Sequence, residues 1–185
     1  MIQAIESNAQ VYYVQKTFLA SVSTKLAERC CQQPTKLAIS EEALCIFLAW
    51  LISRNADEID ELGSSQVSLA QAWNFGAQYD MPGFQDAVMH QLASCLSGDS
   101  VSPDAVVVAY ATTRRGTKLQ SAFIAQLAID MRRGGAHAWD RTTFTDYRLE
   151  EVMGFFLDLT DAMCDAEGNA GIRTNDFLFT PCNDT

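Results

Sequence analysis

The chain has 185 residues, 48% of them hydrophobic and 19% charged, so it carries enough apolar surface for a packed core and is not a disordered polymer as a whole. Thirteen basic residues stand against 23 acidic ones, a formal net charge of −10. That balance excludes affinity built on phosphate contacts and argues against docking on an anionic membrane; no nucleic-acid or membrane partner is expected.

The N-terminal residues Met1-Ile-Gln-Ala-Ile-Glu6 carry no basic segment followed by an apolar run. No secretory leader is expected there, and the chain reads as cytoplasmic or nuclear. Residues 2–5 and 10–14 are short and rich in β-branched and aromatic side chains, with turn-like residues between them. They read as a β-hairpin. From Lys16 to Cys30, the residues Phe18, Leu19, Val22, Leu26 and Arg29 recur at helical spacing and predict one amphipathic helix. Gln32-Gln-Pro-Thr35 breaks it, and Lys36-Leu-Ala-Ile39 reads as a third short strand.

Ten apolar residues follow without interruption, Ala43 to Ile52. Ser40 is suited to cap a helix here, and Glu41 and Glu42 suit its first turn. The run is too short for a bilayer, which needs about 20 residues. A helix apolar on every side is expected to be buried on every side, so residues 40–54 are read as the central core helix. Asn55 to Ser65 is acidic and reads as an exposed loop.

Leu69, Ala72, Trp73 and Gly76 then mark one helix face. Pro82 suits the first turn of the next helix, with Phe84, Val88, Leu92 and Cys95 or Leu96 along its stripe. Residues 97–100 read as a loop. Ser102 caps a helix through Val106, Val107 and Tyr110, and Arg114 to Thr117 turn the chain. Leu119, Phe123 and Leu127 predict a further helix that stops at Gly134-Gly135. Residues 136–145 read as a linker. Leu149, Val152, Met153, Phe156, Leu159 and Met163 predict one last amphipathic helix, before an acidic tail expected to be poorly ordered. The fold class is α+β: short N-terminal strands, a helical majority and a C-terminal helix.

Three segments, with the helices after them, resemble the BTB/POZ domain in its divergent fungal form. Gln10-Val-Tyr-Tyr-Val-Gln-Lys-Thr-Phe-Leu-Ala-Ser-Val-Ser23 is similar to that family's second strand and following helix. Phe47-Leu-Ala-Trp-Leu-Ile-Ser-Arg54 is similar to its "F-x-x-W-L-Y" helix end, with Ile52 where tyrosine is common. Ala70 to Met89, with Trp-x-Phe-Gly and Met-Pro, resembles its helix pair, and Ser102 to Tyr110 and Gly116 to Gln120 resemble the fungal helices that follow. The resemblance covers about residues 1–133, leaving 134–185 as linker, helix and tail. Only Met1 to Ser7 stand where the family has a longer first strand, which leaves little chain for a dimer built on that strand.

The resemblance implies a non-enzymatic scaffold for protein–protein contacts, self-associating as a homodimer. The residues at stake are Phe18, Leu19, Val22 and Leu26, with Trp50 and Leu51 at the end of the core helix. Some family members bind cullin-3 as ubiquitin-ligase adaptors, although Leu37-Ala-Ile-Ser-Glu41 departs from the contact pattern used for that. Trp139 either pins the last helix to the domain or serves as an exposed anchor, and Phe155 and Phe156 give that helix more apolar surface than one stripe requires.

Signatures of catalysis, phosphate cradles and metal sites are missing from the sequence, and no cofactor is expected. The six cysteines form no zinc-ligand spacing and read as mostly buried thiols. Asp57, Glu58, Asp60 and Glu61 lack the pattern of a calcium loop. The competing reading is a small-molecule binder or small enzyme built from scattered residues such as His90, Tyr79 and Asp80.

Overall fold

A computed structural model gives the architecture, and it describes residues 2–7, 10–30, 35–60, 62–112, 116–133, 139, 141–147, 149 and 154–165. The expected C-terminal tail, Gly134-Gly135, His137, Val152 and Met153 lie outside the described residues. The class is α+β with a helical majority.

Strand β1 (Ile2–Ser7) pairs antiparallel with β2 (Gln10–Gln15), Ile2 opposite Gln15 and Ser7 opposite Gln10. The third strand, β3 (Thr35–Lys36), begins and ends earlier than the apolar pattern suggested. It lies parallel to β1 on the other side, giving the order β2-β1-β3.

The single helix expected over 16–30 is two helices, α1 (Lys16–Ala20) and α2 (Thr24–Arg29). Ser23 separates them. Its backbone is extended, its hydroxyl accepts from the Leu26 N–H at 3.0 Å, and it donates to the Tyr79 carbonyl at 2.5 Å. A serine that offers the backbone a cap competes with continuing the helix, and here the cap wins.

Helix α3 (Glu41–Ser53) starts on Ser40, whose hydroxyl accepts from the Ala43 N–H at 3.2 Å. Ala43, Leu44, Ile46, Phe47, Trp50 and Leu51 are buried. The helix is not enclosed on every side, however: Ile52 is 83% exposed. The apolar run hides this, because composition alone cannot mark the side that faces outward. After α3, the acidic stretch holds a one-turn helix, α4 (Asp57–Asp60), and Ile59 anchors it with no exposed surface.

Helices α5 (Gln66–Gln78) and α6 (Pro82–Gly98) meet closely. Ser65 caps α5, and the expected face of Leu69, Ala72, Trp73 and Gly76 is buried. Helix α6 runs through Ser97 and Gly98, past the expected loop start. Phe47 joins the three helices by edge-on contacts with Phe75 at 5.2 Å and Phe84 at 5.4 Å. A Cβ added at Gly76 would come within 2.7 Å of Gln85 Cγ and 3.2 Å of Phe84 Cδ1, so the α5–α6 approach depends on that missing methyl.

Helices α7 (Pro103–Thr112) and α8 (Lys118–Arg132) complete the main bundle. Thr117 and Gln120 form a reciprocal capping box that starts α8, and Leu119, Phe123 and Leu127 are fully buried, as their spacing predicts. Part of the expected linker is a helix, α9 (Arg141–Asp146). The final helix, α10 (Phe155–Asp165), begins after Gly154, whose φ of 89° turns the chain. That late start shifts the stripe: Phe155 and Leu159 are buried, whereas Phe156 and Met163 face outward. Helix α10 lies against α8, so the described part of 134–185 is packed on the preceding unit rather than trailing from it.

Gly76→Ala should lower stability by about 1–3 kcal/mol, as overpacking does. Gly98→Ala, where nothing lies within 4 Å of the new methyl, should be neutral or stabilising by up to about 1 kcal/mol. Urea unfolding of the two variants measures the contrast.

Candidate functional site

Most residues singled out for interaction belong to the core. Leu19, Leu26, Leu51 and Phe155 are buried, Trp50 and Trp139 are nearly so, and Val22 packs against the core half-buried. Their side chains are already surrounded by their own chain and offer little or no contact area in this conformation. Phe18, at 50% exposure, and Phe156 remain outside.

Phe18 has a companion that the sequence reading placed indoors. Ile52 is 83% exposed, and the end of α3 that carries it is tied to the end of α1 by a short chain of contacts. Arg54 donates to Ser21 Oγ at 2.6 Å, and that hydroxyl donates to the Phe18 carbonyl at 2.7 Å. The Arg54 guanidinium also lies 5.1 Å from the Trp50 ring centroid. Strand β2 enters α1 directly, and its Val11 and Tyr13 are exposed while Tyr12 and Val14 pack on the core, the alternation of a half-buried strand. Val11, Tyr13, Phe18 and Ile52 thus bring exposed apolar side chains to β2, α1 and the end of α3.

The C-terminal aromatics form a separate cluster. Trp139 stacks on Phe155 at 6.1 Å and its indole N–H donates to the Val101 carbonyl at 2.8 Å. Phe144 touches both Trp139 and Phe155, while Tyr110 packs edge-on to Phe155 and donates to Asp158 at 2.9 Å. Arg132 donates to the Met163 carbonyl. Trp139 is therefore an internal pin; the alternative of an exposed anchor is set aside by its burial.

Two cavities lie beside α5. One compartment, about 760 Å³, is lined by Ile39, Trp73, Asn74, Gln78 and Val108 among others. The other, about 740 Å³, is lined by Glu41, Glu42, Cys45, Leu62 and Val67 among others. Ser40 and Gln71 line both, and Ser40 Oγ donates to Gln71 Oε1 at 2.5 Å across the divide. Trp73 is 4% exposed, and its indole N–H is buried without a hydrogen-bond partner. Such an orphaned donor costs about 1–3 kcal/mol. The sequence correctly puts Trp73 in an apolar stripe but holds no sign of the missing partner, since that depends on what the other helices place beside it.

The scattered residues of the enzyme reading do not share a cleft in any contact the structure gives. Tyr79 is buried, Asp80 pairs with Lys25 at 3.3 Å, and His90 is exposed on α6. His90 lies eight residues past Pro82, about 12 Å along the helix axis. Among the described residues no cluster of three or more His, Cys, Asp or Glu could hold a metal, and no helix is long and apolar enough to cross a membrane. Cys30 is buried, Cys45 and Cys95 are half-buried, and Cys164 is exposed. Cys31 and Cys182 lie outside the described residues.

Three tyrosines are held above the ordinary phenol range. Burial raises Tyr12, aided by its contacts with Cys45 at 4.0 Å and Glu41 at 3.5 Å. Burial also raises Tyr79. The Asp104 carboxylate, 3.3 Å away, raises Tyr147. No family model, curated protein or solved structure matches the chain.

Trp139→Phe should destabilise by about 1–3 kcal/mol, because it strands the Val101 carbonyl. Trp73→Phe should cost less, since it deletes an unpaired donor; thermal unfolding compares them. At high pH the sign is fixed by the tyrosines. Below about pH 10 the phenols stay protonated in both folded and unfolded chains. Above it the unfolded chain ionises first, so stability should fall as pH climbs through the raised values. Replacing Tyr12, Tyr79 or Tyr147 with Phe should flatten that alkaline loss in urea titrations.

Proposed function

We propose that this chain is a non-enzymatic protein–protein interaction module of the BTB/POZ type, which self-associates through α1 and the end of α3. The observation that carries the reading is the apolar pair Phe18 and Ile52, exposed on helix ends tied together through Arg54 and Ser21. Large apolar side chains grouped on a rigid surface mark sites of association. The element order supports the family: a hairpin leading into a helix, a short third strand, a core helix and a helix pair joined at Met81-Pro82. The C-terminal helix acts as a brace for the fold, since Phe155 and Leu159 are spent on internal packing.

A homodimer is the predicted species, measured by size-exclusion chromatography with light scattering at tens of micromolar. Phe18→Asp and Ile52→Asp should each shift the chain to a monomer that keeps the parent's helical circular dichroism, because both side chains are exposed in the single chain. A monomeric parent chain, or variants that dimerise as well as the parent, would overturn the reading.

A further inference from the structure

We propose that β2 pairs antiparallel with β2 of a second copy of this chain, about a two-fold axis at Tyr12, so that the two small sheets join edge to edge. The inference rests on the self-association reading and supplies the backbone contact that orients the pair.

Position comes first. The strand order β2-β1-β3 puts β2 at the rim of the sheet, and among the described residues no strand lies beyond it. A rim strand presents a row of backbone N–H and C=O groups that another extended chain can complete. Second, this rim is unprotected. Rim strands are commonly guarded by lysine, proline or a bulge. Gln10-Val-Tyr-Tyr-Val-Gln15 has no charge, proline or glycine, and its pairing with β1 runs through all 6 residues without a bulge. Its Val and Tyr residues favour an extended backbone. Third, charge selects a second copy as the occupant. With 23 acidic residues against 13 basic ones, two copies repel over most of their surfaces. From Ser7 to Ala27 the chain has no Asp or Glu. That stretch holds β2 and α1, so two copies meet there with the least carboxylate repulsion. It also carries Phe18, so the strand contact is continuous with the surface assigned to self-association.

The register follows from the faces. Residues opposite one another in an antiparallel pair share a face of the sheet. An axis at Tyr12 sets Val11, 43% exposed, against the partner's Tyr13, and Tyr13, 75% exposed, against the partner's Val11. An axis at Tyr13 would set Val11 against the partner's Gln15. The first register places both exposed apolar side chains of each β2 in aromatic–β-branched pairs, which stabilise a sheet.

The test is charge exchange across the pair. Val11→Lys/Tyr13→Lys and Val11→Glu/Tyr13→Glu each set like charges opposite one another, so each double variant alone should be monomeric by light scattering, with the parent's circular dichroism. Mixed 1:1, they should form a dimer holding one chain of each kind, read by native mass spectrometry. In the parent dimer the β2 amides should exchange with deuterium about tenfold more slowly than in Ile52→Asp, whose β2 sequence is unchanged. Double variants that dimerise like the parent, a mixture that stays monomeric, or β2 amides equally fast in both chains would overturn the proposal, the last leaving the rim to a strand of another protein. If Phe18→Asp and Ile52→Asp abolish the dimer while the double variants keep it, the strand pairing fails and the self-association reading stands. A monomeric parent chain would overturn both.

Discussion

The fold hangs on the Phe47 ring. It lies edge-on to Phe75 and Phe84, and through them α3, α5 and α6 share one centre. Edge-to-face rings have a preferred geometry, so these contacts set helix orientation as well as burying area. Trp50 extends the cluster with a contact to Phe84 at 5.1 Å, and Gly76 allows α6 to come close enough for Phe84 to reach it. Around this centre the small sheet is peripheral. Tyr12 joins it to the start of α3 through Glu41 and Cys45.

What the sequence discloses follows from what is local. The Ser40 cap, the buried face of α5, the proline start of α6 and the stripe of α8 are each set by residues within a turn or two of one another, and each appears as read. The capping box at Thr117 and Gln120 is legible in the same way, as Thr followed three residues later by Gln. Ser23 was harder. Whether a serine caps a new helix or rides inside an old one depends on a distant partner, here the Tyr79 carbonyl.

The surfaces were the least legible part, for a physical reason. A run such as Ala43 to Ile52 says how much is apolar, not which residue the neighbours fail to cover. Ile52 is uncovered because it falls in the last turn of α3, where the chain turns away at Arg54. In α10 the error has a different origin: the phase of the helix depends on where Gly154 releases the chain, and a period of 3.6 counted from the wrong start exchanges Phe155 for Phe156. The two cavities beside α5 are legible only in three dimensions, since their acids and amides come from helices separated by α4.

Arg54 ends α3 with φ of 58°, a left-handed turn made without glycine. That conformation costs about 1–2 kcal/mol in an L-residue. The guanidinium gives back about 0.5–1 kcal/mol over the Trp50 ring, and a comparable amount through Ser21. The near-balance makes the turn conditional. Should the Ser21 hydroxyl shift, the strained backbone loses one of its two compensations and the helix terminus unwinds more readily. The end of α1 and the end of α3 thereby depend on one side chain for their common anchorage.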